Sequence, residues 1–360
     1  MKEQDRLQHL LSLTASVVLA LAVGALIMAL TGHSPAEGYG ALLNGVFGSK
    51  RGIASMLYKS AQLAITGIAT IVASRGGVFN VGGEGQMYLG ALAAAWMGTL
   101  LKHASPWLAI PVCLLTAIAA GAFYAWIPAV LKVKLKVNEV ITTILMNTIA
   151  LKFCTWMATG PLHTTERGVS QGTQALNKSF LFQKLVPGAQ LNTSVYLVVL
   201  ATVLVWYLMQ RTSTGFEMNL TGQNPRFSRF IGISADRMAI LGMLISGGLC
   251  GLLGMSETFG VQSRFRPDFS SEFYFDGMLV AMIMQYKPLG TILMSFFFGL
   301  LKIGGVSMQS KTGISSELIL IVQSIIIFFM AAEKGIAREI QNKRAARAAL
   351  QAHQKAGGTA

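Results

Sequence analysis

A short polar stretch, residues 75–90, carries most of the residue types that could act on a ligand. It holds six glycines together with Asn80, Glu84 and Gln86, and it lies between long apolar runs. A charged side chain at the centre of a membrane helix costs about 2.5 to 3.5 kcal/mol on insertion scales, so it needs a partner or water. Irregular backbone at that depth occurs only where protein covers it or where it lines a water-filled cavity. The stretch therefore indicates a passage rather than a simple anchor.

Six residues are candidates for lining such a passage. The amides can donate to and accept from a hydroxylated ligand, and Glu84 either lines the passage or braces the glycine-rich turn. An amide can equally cap a broken helix, and an aromatic ring that could stack on a base or a sugar can equally serve in packing. Asp276 is a second acid within a short apolar run. The candidates are Phe79, Asn80, Glu84, Gln86, Phe275 and Asp276.

The sequence contains no catalytic or metal-binding pattern. There is no GxxxxGKS or GxxxxGKT phosphate loop, no GxSxG and no HExxH. The three cysteines lie in separate apolar runs and the five histidines lie at loops or ends, so neither set predicts a metal site. We therefore expect no catalytic residue, no metal and no cofactor in this chain.

The composition places these residues in a membrane protein. Of the 360 residues, 53% are hydrophobic and only 12% are charged, and the mean hydropathy is +0.55. A bilayer core about 30 Å thick requires roughly 20 apolar residues for each spanning helix. We expect an all-α polytopic membrane protein with about ten transmembrane or partly spanning helices. The apolar runs are 10–30, 55–74, 86–101, 107–131, 139–159, 194–210, 238–258, 273–285, 289–306 and 317–332.

Some of these runs have special features. Runs 86–101 and 273–285 are short, which indicates broken or re-entrant helices inside the bundle. Run 10–30 is longer than the apolar part of a signal peptide and has no convincing cleavage site, so we expect a retained helix. Gly247, Gly251 and Gly254 predict a close approach of a neighbouring helix.

Positive charge predicts the orientation of the chain. If the N- and C-termini are both cytoplasmic, most of the 29 basic residues fall on the cytoplasmic side. The membrane domain then covers residues 1–333, and a basic cytoplasmic tail covers 334–360. Orientation and contact with anionic lipid explain the positive charge better than nucleic acid does.

The inner connection 211–237 differs from the other loops. It is too long for a tight turn, and Phe227, Phe230 and Ile231 have the spacing of one apolar helix face. An Asn-Pro pair just before them is a helix start signal. We expect a short amphipathic helix outside the bilayer, which lies on the membrane surface or docks into a groove on a cytoplasmic partner. The longest loop, 160–192, falls on the external side.

Four separated segments resemble one protein family. They are RGGVFNVGGEGQMYLGA, KVKLKVNEVITTILMN, GFEMNLTGQNPRFSRFIGI and EFYFDGMLVAMI, and they occur in the family's order. The chain resembles, from about residue 55 to 333, the permease subunits of bacterial ABC importers for simple sugars and nucleosides. That group belongs to the wider branch that includes branched-chain amino acid permeases. The FNVGGEGQ stretch is most similar to the nucleoside permeases.

This resemblance implies the membrane-spanning permease subunit of an ATP-driven importer in the bacterial cytoplasmic membrane. It implies cytoplasmic ATP-binding subunits that carry ATP and magnesium, and a second permease subunit of the same or a different sequence. It also implies an external binding protein or lipoprotein that delivers a nucleoside or simple sugar. The chain itself is then a transport subunit and not an enzyme. From the residues alone, a gradient-driven transporter or channel for a small polar solute remains the alternative.

The resemblance carries over residue by residue in the inner connection. It implies that the matching residues form the contact through which ATPase closure moves the membrane domain. Asn219 stands where family members often have arginine, and Phe227 and Ser228 stand where alanine is common. These departures argue against an ATPase shared with more typical relatives. The matching residues are Gly215, Gly222, Asn224, Pro225, Gly232 and Ile233.

Overall fold

The computed structural model describes residues 2–166, 169–267, 269–270, 272–315, 317–326 and 328. Within them the chain forms helices and no strand, apart from a single bridge between Lys184 and Asn192. A helix lies at each of the ten predicted apolar runs. The predicted tail 334–360 and the end of run 317–332 lie outside the described residues. The helices are α1 (Lys2–Leu30), α2 (Pro35–Phe47), α3 (Lys50–Arg75), α4 (Gly83–Leu100), α5 (Pro106–Leu135), α6 (Glu139–Thr159), α7 (Ser194–Arg211), α8 (Ser213–Gln223), α9 (Pro225–Phe230), α10 (Ala235–Glu257), α11 (Phe273–Ile283), α12 (Pro288–Thr312) and α13 (Glu317–Ile326).

Six of the described helices are long and apolar enough to cross a bilayer. They are α3, α5, α6, α7, α12 and α10, the last with a π-helical extension from Thr258 to Gln262. The chain is therefore an all-α polytopic membrane protein, as predicted. The two short runs are α4, which has 18 residues and begins after the glycine-rich break, and α11, which has only 11. At about 1.5 Å per residue, α11 reaches about halfway through the hydrocarbon core.

Helices α3 and α10 run through the middle of the bundle. In each of them 78% of the most apolar window is buried, against 22% to 28% for α5, α6 and α7. The outer helices expose large apolar side chains such as Phe123, Trp126 and Trp156, which suits a surface against lipid tails. The polar stretch between α3 and α4 therefore lies next to the two most buried of the six spanning helices.

Two connections contain more helix than the sequence indicated. The region 31–50 lies between two of the predicted apolar runs, yet it contains α2, in which Leu42 and Val46 are buried. These two apolar residues are four apart and so share one helix face. The connection 211–237 contains α8 as well as the predicted short helix, which is α9. Thr212 starts α8, because its hydroxyl accepts a hydrogen bond from Gly215 N at 3.1 Å.

The described chain divides into two compact units. One lies within residues 1–43 and 304–360, and there Tyr39 on α2 donates a hydrogen bond to the carbonyl of Leu21 on α1 at 2.6 Å. Gly24 on α1 leaves room for α13, since a Cβ built on it would lie 2.9 Å from Val322. The other unit is Asn44–Ile303, which contains every candidate residue named above.

The loops of the unit Asn44–Ile303 gather at two ends. At one end, Asn177 donates a hydrogen bond to Lys102 O at 3.0 Å, and Leu176 N donates to Ser263 O at 2.9 Å. At the other end, Lys132 Nζ donates to Gly77 O at 2.9 Å. The loops that the charge pattern assigns to the external side thus meet one another, and so do those that it assigns to the cytoplasmic side.

Candidate functional site

The glycine-rich stretch forms a tightly bonded break between α3 and α4. The Asn80 and Gln86 side chains form a pair of amide hydrogen bonds, at 2.9 and 3.1 Å. Asn80 also donates to Ser246 Oγ on α10 and accepts from Gly82 N, both at 2.9 Å. Because Asn80 and Gln86 are buried to 0% and 1% exposure, these bonds satisfy polar atoms that water cannot reach.

Helix α6 also forms hydrogen bonds with the break between α3 and α4. The Asn147 side chain accepts a hydrogen bond from Gly85 N and donates one to Val81 O, both at 2.8 Å. Thr143 Oγ1 accepts from Val81 N at 3.3 Å. Asn147 thus replaces the helical hydrogen bonds that the broken backbone cannot make for itself.

Tyr274 on α11 completes the contacts of the break. Its hydroxyl donates to Asn80 O at 2.7 Å. Its ring occupies the space in which a Cβ on residue 83 would lie, which explains the need for glycine at that position. The break is therefore packed between α6, α10 and α11, and each side-chain polar atom of Asn80 and Gln86 already has a partner within the protein.

Glu84 joins α4 to the start of α11. Its carboxylate accepts hydrogen bonds from Ser270 Oγ and, at 3.0 Å, from Tyr274 N. Tyr274 is the second residue of α11, where free backbone N–H groups and the helix dipole favour a negative charge. This geometry supports the bracing role for Glu84.

Asp276 lies further along α11 and forms an ion pair with Lys302 on α12. The two side chains are only 11% and 17% exposed. We did not single out Lys302 from the sequence, although a lysine within the apolar run 289–306 is a signal that could have found it.

A second polar group lies between α3 and α10. Glu257 is 3% exposed and accepts hydrogen bonds from Tyr58 Oη at 2.7 Å and from Gln62 Nε2. Lys59 on α3 places its ammonium 3.5 Å from the centroid of the Phe273 ring. Sequence reasoning missed Lys59 and Glu257, although both are charged residues within apolar helices.

We use the name charged cluster for the five ionisable residues that these helices bring together. The charges of Lys302, Glu257, Asp276 and Glu84 all act on Lys59, so the residues form one electrostatic group. The predicted residues Phe79 and Phe275 are partly buried against the main apolar core. Such a group can hold or pass a polar solute inside a membrane protein. The members are Lys59, Glu84, Glu257, Asp276 and Lys302.

Helices α8 and α9 of the connection 211–237 are joined closely to the bundle. A Cβ at Gly222 would lie 2.7 Å from Ser74 O, so only glycine lets α8 rest against the end of α3. Asn224 caps α9 by accepting from Phe227 N at 3.0 Å, and Pro225 is the first residue of that helix. Asn224 and Pro225 thus start the helix as the sequence predicted.

The end of α9 is a tight turn. Gly232 has φ +87, a backbone conformation that favours glycine, and no atom lies within 4 Å of a Cβ built there. Ile233 N donates to Ser228 O at 2.9 Å and closes the turn. Arg229 pairs with Asp236 at 2.7 Å, which connects α9 to the start of α10.

The apolar face of α9 is not covered by the described chain. Phe230 is 89% exposed, and Phe227 and Ile231 are 49% and 46% exposed, whereas Ser228 on the same short helix is fully buried. Phe216 on α8 is exposed as well. A contiguous apolar surface outside the membrane spans is typical of a site that contacts another protein or a membrane.

Comparison with known proteins identifies the family. The family model described as branched-chain amino acid transport system, permease component, matches residues 52–331. The chain belongs to this permease family. It is therefore a transport subunit of an ABC importer and not an enzyme, and it is a multi-pass protein of the cytoplasmic membrane.

Several characterised permeases are similar over most of the chain. The guanosine ABC transporter permease protein NupP of Bacillus subtilis is 35% identical, over 92% of this chain and 95% of its own length. The nucleoside ABC transporter permease protein NupB of Lactococcus lactis is 32% identical, over 88% and 89%. The glucose ABC transporter permease protein TsgB13 of Haloferax volcanii is 30% identical, over 88% and 85%. No solved structure gives a significant match.

Proposed function

We propose that this permease passes a nucleoside across the membrane, driven by ATP hydrolysis on a separate subunit. The observation that carries this proposal is the similarity over nearly the full chain to a guanosine permease and to a nucleoside permease. The glucose permease among the relatives supports a simple sugar as the second candidate. Both candidates are neutral solutes rich in hydroxyl groups.

The uncovered face of α9 supports a docking role for the helices α8 and α9. In this proposal a cytoplasmic ATP-binding subunit, which carries ATP and magnesium, receives the exposed aromatic side chains in an apolar groove. The tight turns and the close contact with the end of α3 would transmit its movement to the bundle. The residues proposed for this coupling are Gly215, Gly222, Asn224, Pro225, Gly232 and Ile233.

The solute path is proposed to run beside the glycine-rich break and α11. Asn80, Glu84 and Gln86 would shape it from behind, since their polar atoms are bonded within the protein. Phe79, Phe275 and Asp276 would lie nearer to the solute. A second permease subunit, identical or different, would complete the path, and an external binding protein or lipoprotein would deliver the solute.

The docking proposal is tested by replacing Phe230 with aspartate. Because Phe230 is 89% exposed, we expect F230D to fold normally. Loss of a central aromatic anchor should weaken ATPase-subunit binding by about 2 kcal/mol or more, and so lower co-purification and ATP-driven uptake at least tenfold. The matched control is L185D, which changes an exposed apolar residue in the external loop. Wild-type recovery of the ATPase subunit with F230D would contradict the docking role.

The substrate proposal is tested by competition for uptake. Cells that produce the complete importer are given labelled guanosine with an excess of uridine, ribose or glucose. We expect guanosine uptake, and we expect inhibition by nucleosides to exceed inhibition by free sugars. Uptake of glucose that no nucleoside inhibits would overturn the nucleoside assignment and favour the sugar.

A further inference from the structure

Lys59 differs from the other members of the charged cluster in its partners. Lys302 is paired with Asp276, Glu257 accepts from Tyr58 and Gln62, and Glu84 accepts from Ser270 and Tyr274. Within the described part of the chain, the Lys59 ammonium has the Phe273 ring at 3.5 Å and no hydrogen bond or ion pair. An ammonium carries three N–H donors, and a ring face satisfies them poorly.

The lack of a hydrogen-bond partner for Lys59 is unusual because of where this residue lies in the membrane domain. It lies ten residues into α3, a spanning helix, and its side chain is half-buried. Hydrocarbon does not accept an ammonium that lacks polar partners, so this face of α3 must meet water or another polar group. The same holds for the partly exposed pair of Asp276 and Lys302. The face that carries Lys59 therefore borders a polar space.

The charges around Lys59 indicate what kind of solute fits. Lys302 opposes the charge of Lys59, while Glu257, Asp276 and Glu84 stabilise it. Glu84 is compensated in turn by the N-terminus of α11. The remaining charges, two positive and two negative, balance one another. A charged solute would disturb this balance, whereas a neutral solute with oxygen acceptors would use the free donors.

We propose that Lys59 is a specificity-determining residue that binds hydroxyl or carbonyl oxygens of the transported solute. The ligand class is a neutral, oxygen-rich solute such as the ribose or the base carbonyl of a nucleoside. This inference rests on the proposed function and assigns it a binding residue.

The test compares Lys59→Met and Lys59→Arg in the complete importer in proteoliposomes. The binding protein is added outside and ATP is enclosed inside. Guanosine uptake, ATPase activity stimulated by the loaded binding protein, and the amount of assembled complex are all measured. The matched control is Lys50→Met, which removes an exposed lysine at the start of the same helix.

We expect K59M to lower guanosine uptake about 10- to 100-fold, because a charge-assisted hydrogen bond to the solute is lost. K59R should return uptake to within about threefold of wild type, and the complex and its stimulated ATPase activity should be retained in both variants. Uptake by K59M within threefold of wild type would overturn the proposal. So would an equal loss of ATPase activity or of complex, or an arginine variant no better than methionine.

The same experiment separates the role of Lys59 from the nucleoside assignment. If the wild-type importer takes up guanosine and K59M does too, only the role of Lys59 fails. If the wild type takes up glucose and no nucleoside, the nucleoside assignment fails, and the same comparison made with glucose decides the role of Lys59.

Discussion

At the residue scale, Glu84 shows how an acid is held inside an apolar bundle without a cationic partner in direct contact. Its two oxygens accept from a hydroxyl and from a backbone N–H at the start of α11. The helix dipole and free N–H groups at that end supply the positive potential that a lysine or arginine would otherwise provide. The acid thus serves as a connector between α4 and α11.

This role predicts graded effects for two substitutions. Glu84→Gln keeps one oxygen acceptor and loses the charge, so it should cost about 1 kcal/mol of stability. Glu84→Ala leaves the buried Tyr274 N–H without a partner and should cost about 2 to 4 kcal/mol. Thermal unfolding of the detergent-solubilised protein measures both. If the Glu84→Gln protein unfolds at the same temperature as the wild type but transports different solutes, Glu84 lines the solute path instead.

Sequence reasoning found only part of this site, for a physical reason. Asn80, Glu84 and Gln86 were found because glycines and polar side chains interrupt an apolar pattern. Lys59 and Glu257 lie in otherwise regular apolar helices, where one charge barely changes the hydrophobic period. Nor could the sequence show that Glu84 bonds to Tyr274, because the partners lie 190 residues apart. The charge was visible in the sequence, but its partner was a matter of tertiary structure.

At the element scale, the contact between α5 and α10 depends on glycine. A Cβ at Gly251 would lie 2.9 Å from the carbonyl carbon of Ala117, a backbone atom that cannot move aside. We expect Gly251→Ala to force the helices apart at a cost of about 1 to 3 kcal/mol. The control is Gly40→Ala on α2, where no atom lies within 4 Å of the new methyl group.

Of the two glycine variants, only Gly251→Ala should lose stability. Alanine at position 40 should be neutral or slightly stabilising, because it has the better helix propensity. Thermal unfolding in detergent measures both, and equal melting of the two variants would show that the helices do not need this close approach. The pair separates packing from propensity, which act together in most glycine substitutions.

The long apolar helices were predicted well, because the length of an apolar run indicates a spanning helix. The short helices were predicted less well, because their residues are also typical of turns and loops. Long apolar runs gave the spanning helices, and the Asn-Pro pair gave the start of α9. Helix α2 was missed because its glycines and polar residues are typical of a loop, while its burial depends on tertiary contacts. Helix α8 was missed because Ser, Thr and Gly at its ends favour turns unless a cap such as Thr212 is satisfied.

At the scale of the whole molecule, the charge pattern predicts an orientation for the chain, and the loops are grouped as any such orientation requires. The loops assigned to each side meet at one end of the unit Asn44–Ile303, as the contacts of Asn177 and Lys132 show. Geometry groups the loops, but only the excess of basic residues states which group is cytoplasmic. That excess is moderate, because Lys50, Arg51 and Lys178 fall on the external side.

The three native cysteines make this orientation directly measurable. Cys113, Cys154 and Cys250 are buried to 0% or 1% exposure, so a membrane-impermeant maleimide should label the native protein weakly. Lys178→Cys in the external loop should be labelled in intact cells. Arg226→Cys on α9 should be labelled only after the membrane is permeabilised. Labelling of Arg226→Cys in intact cells would remove α9 from the side on which an ATP-binding subunit could reach it, and if Lys178→Cys were then unlabelled the whole orientation would be reversed.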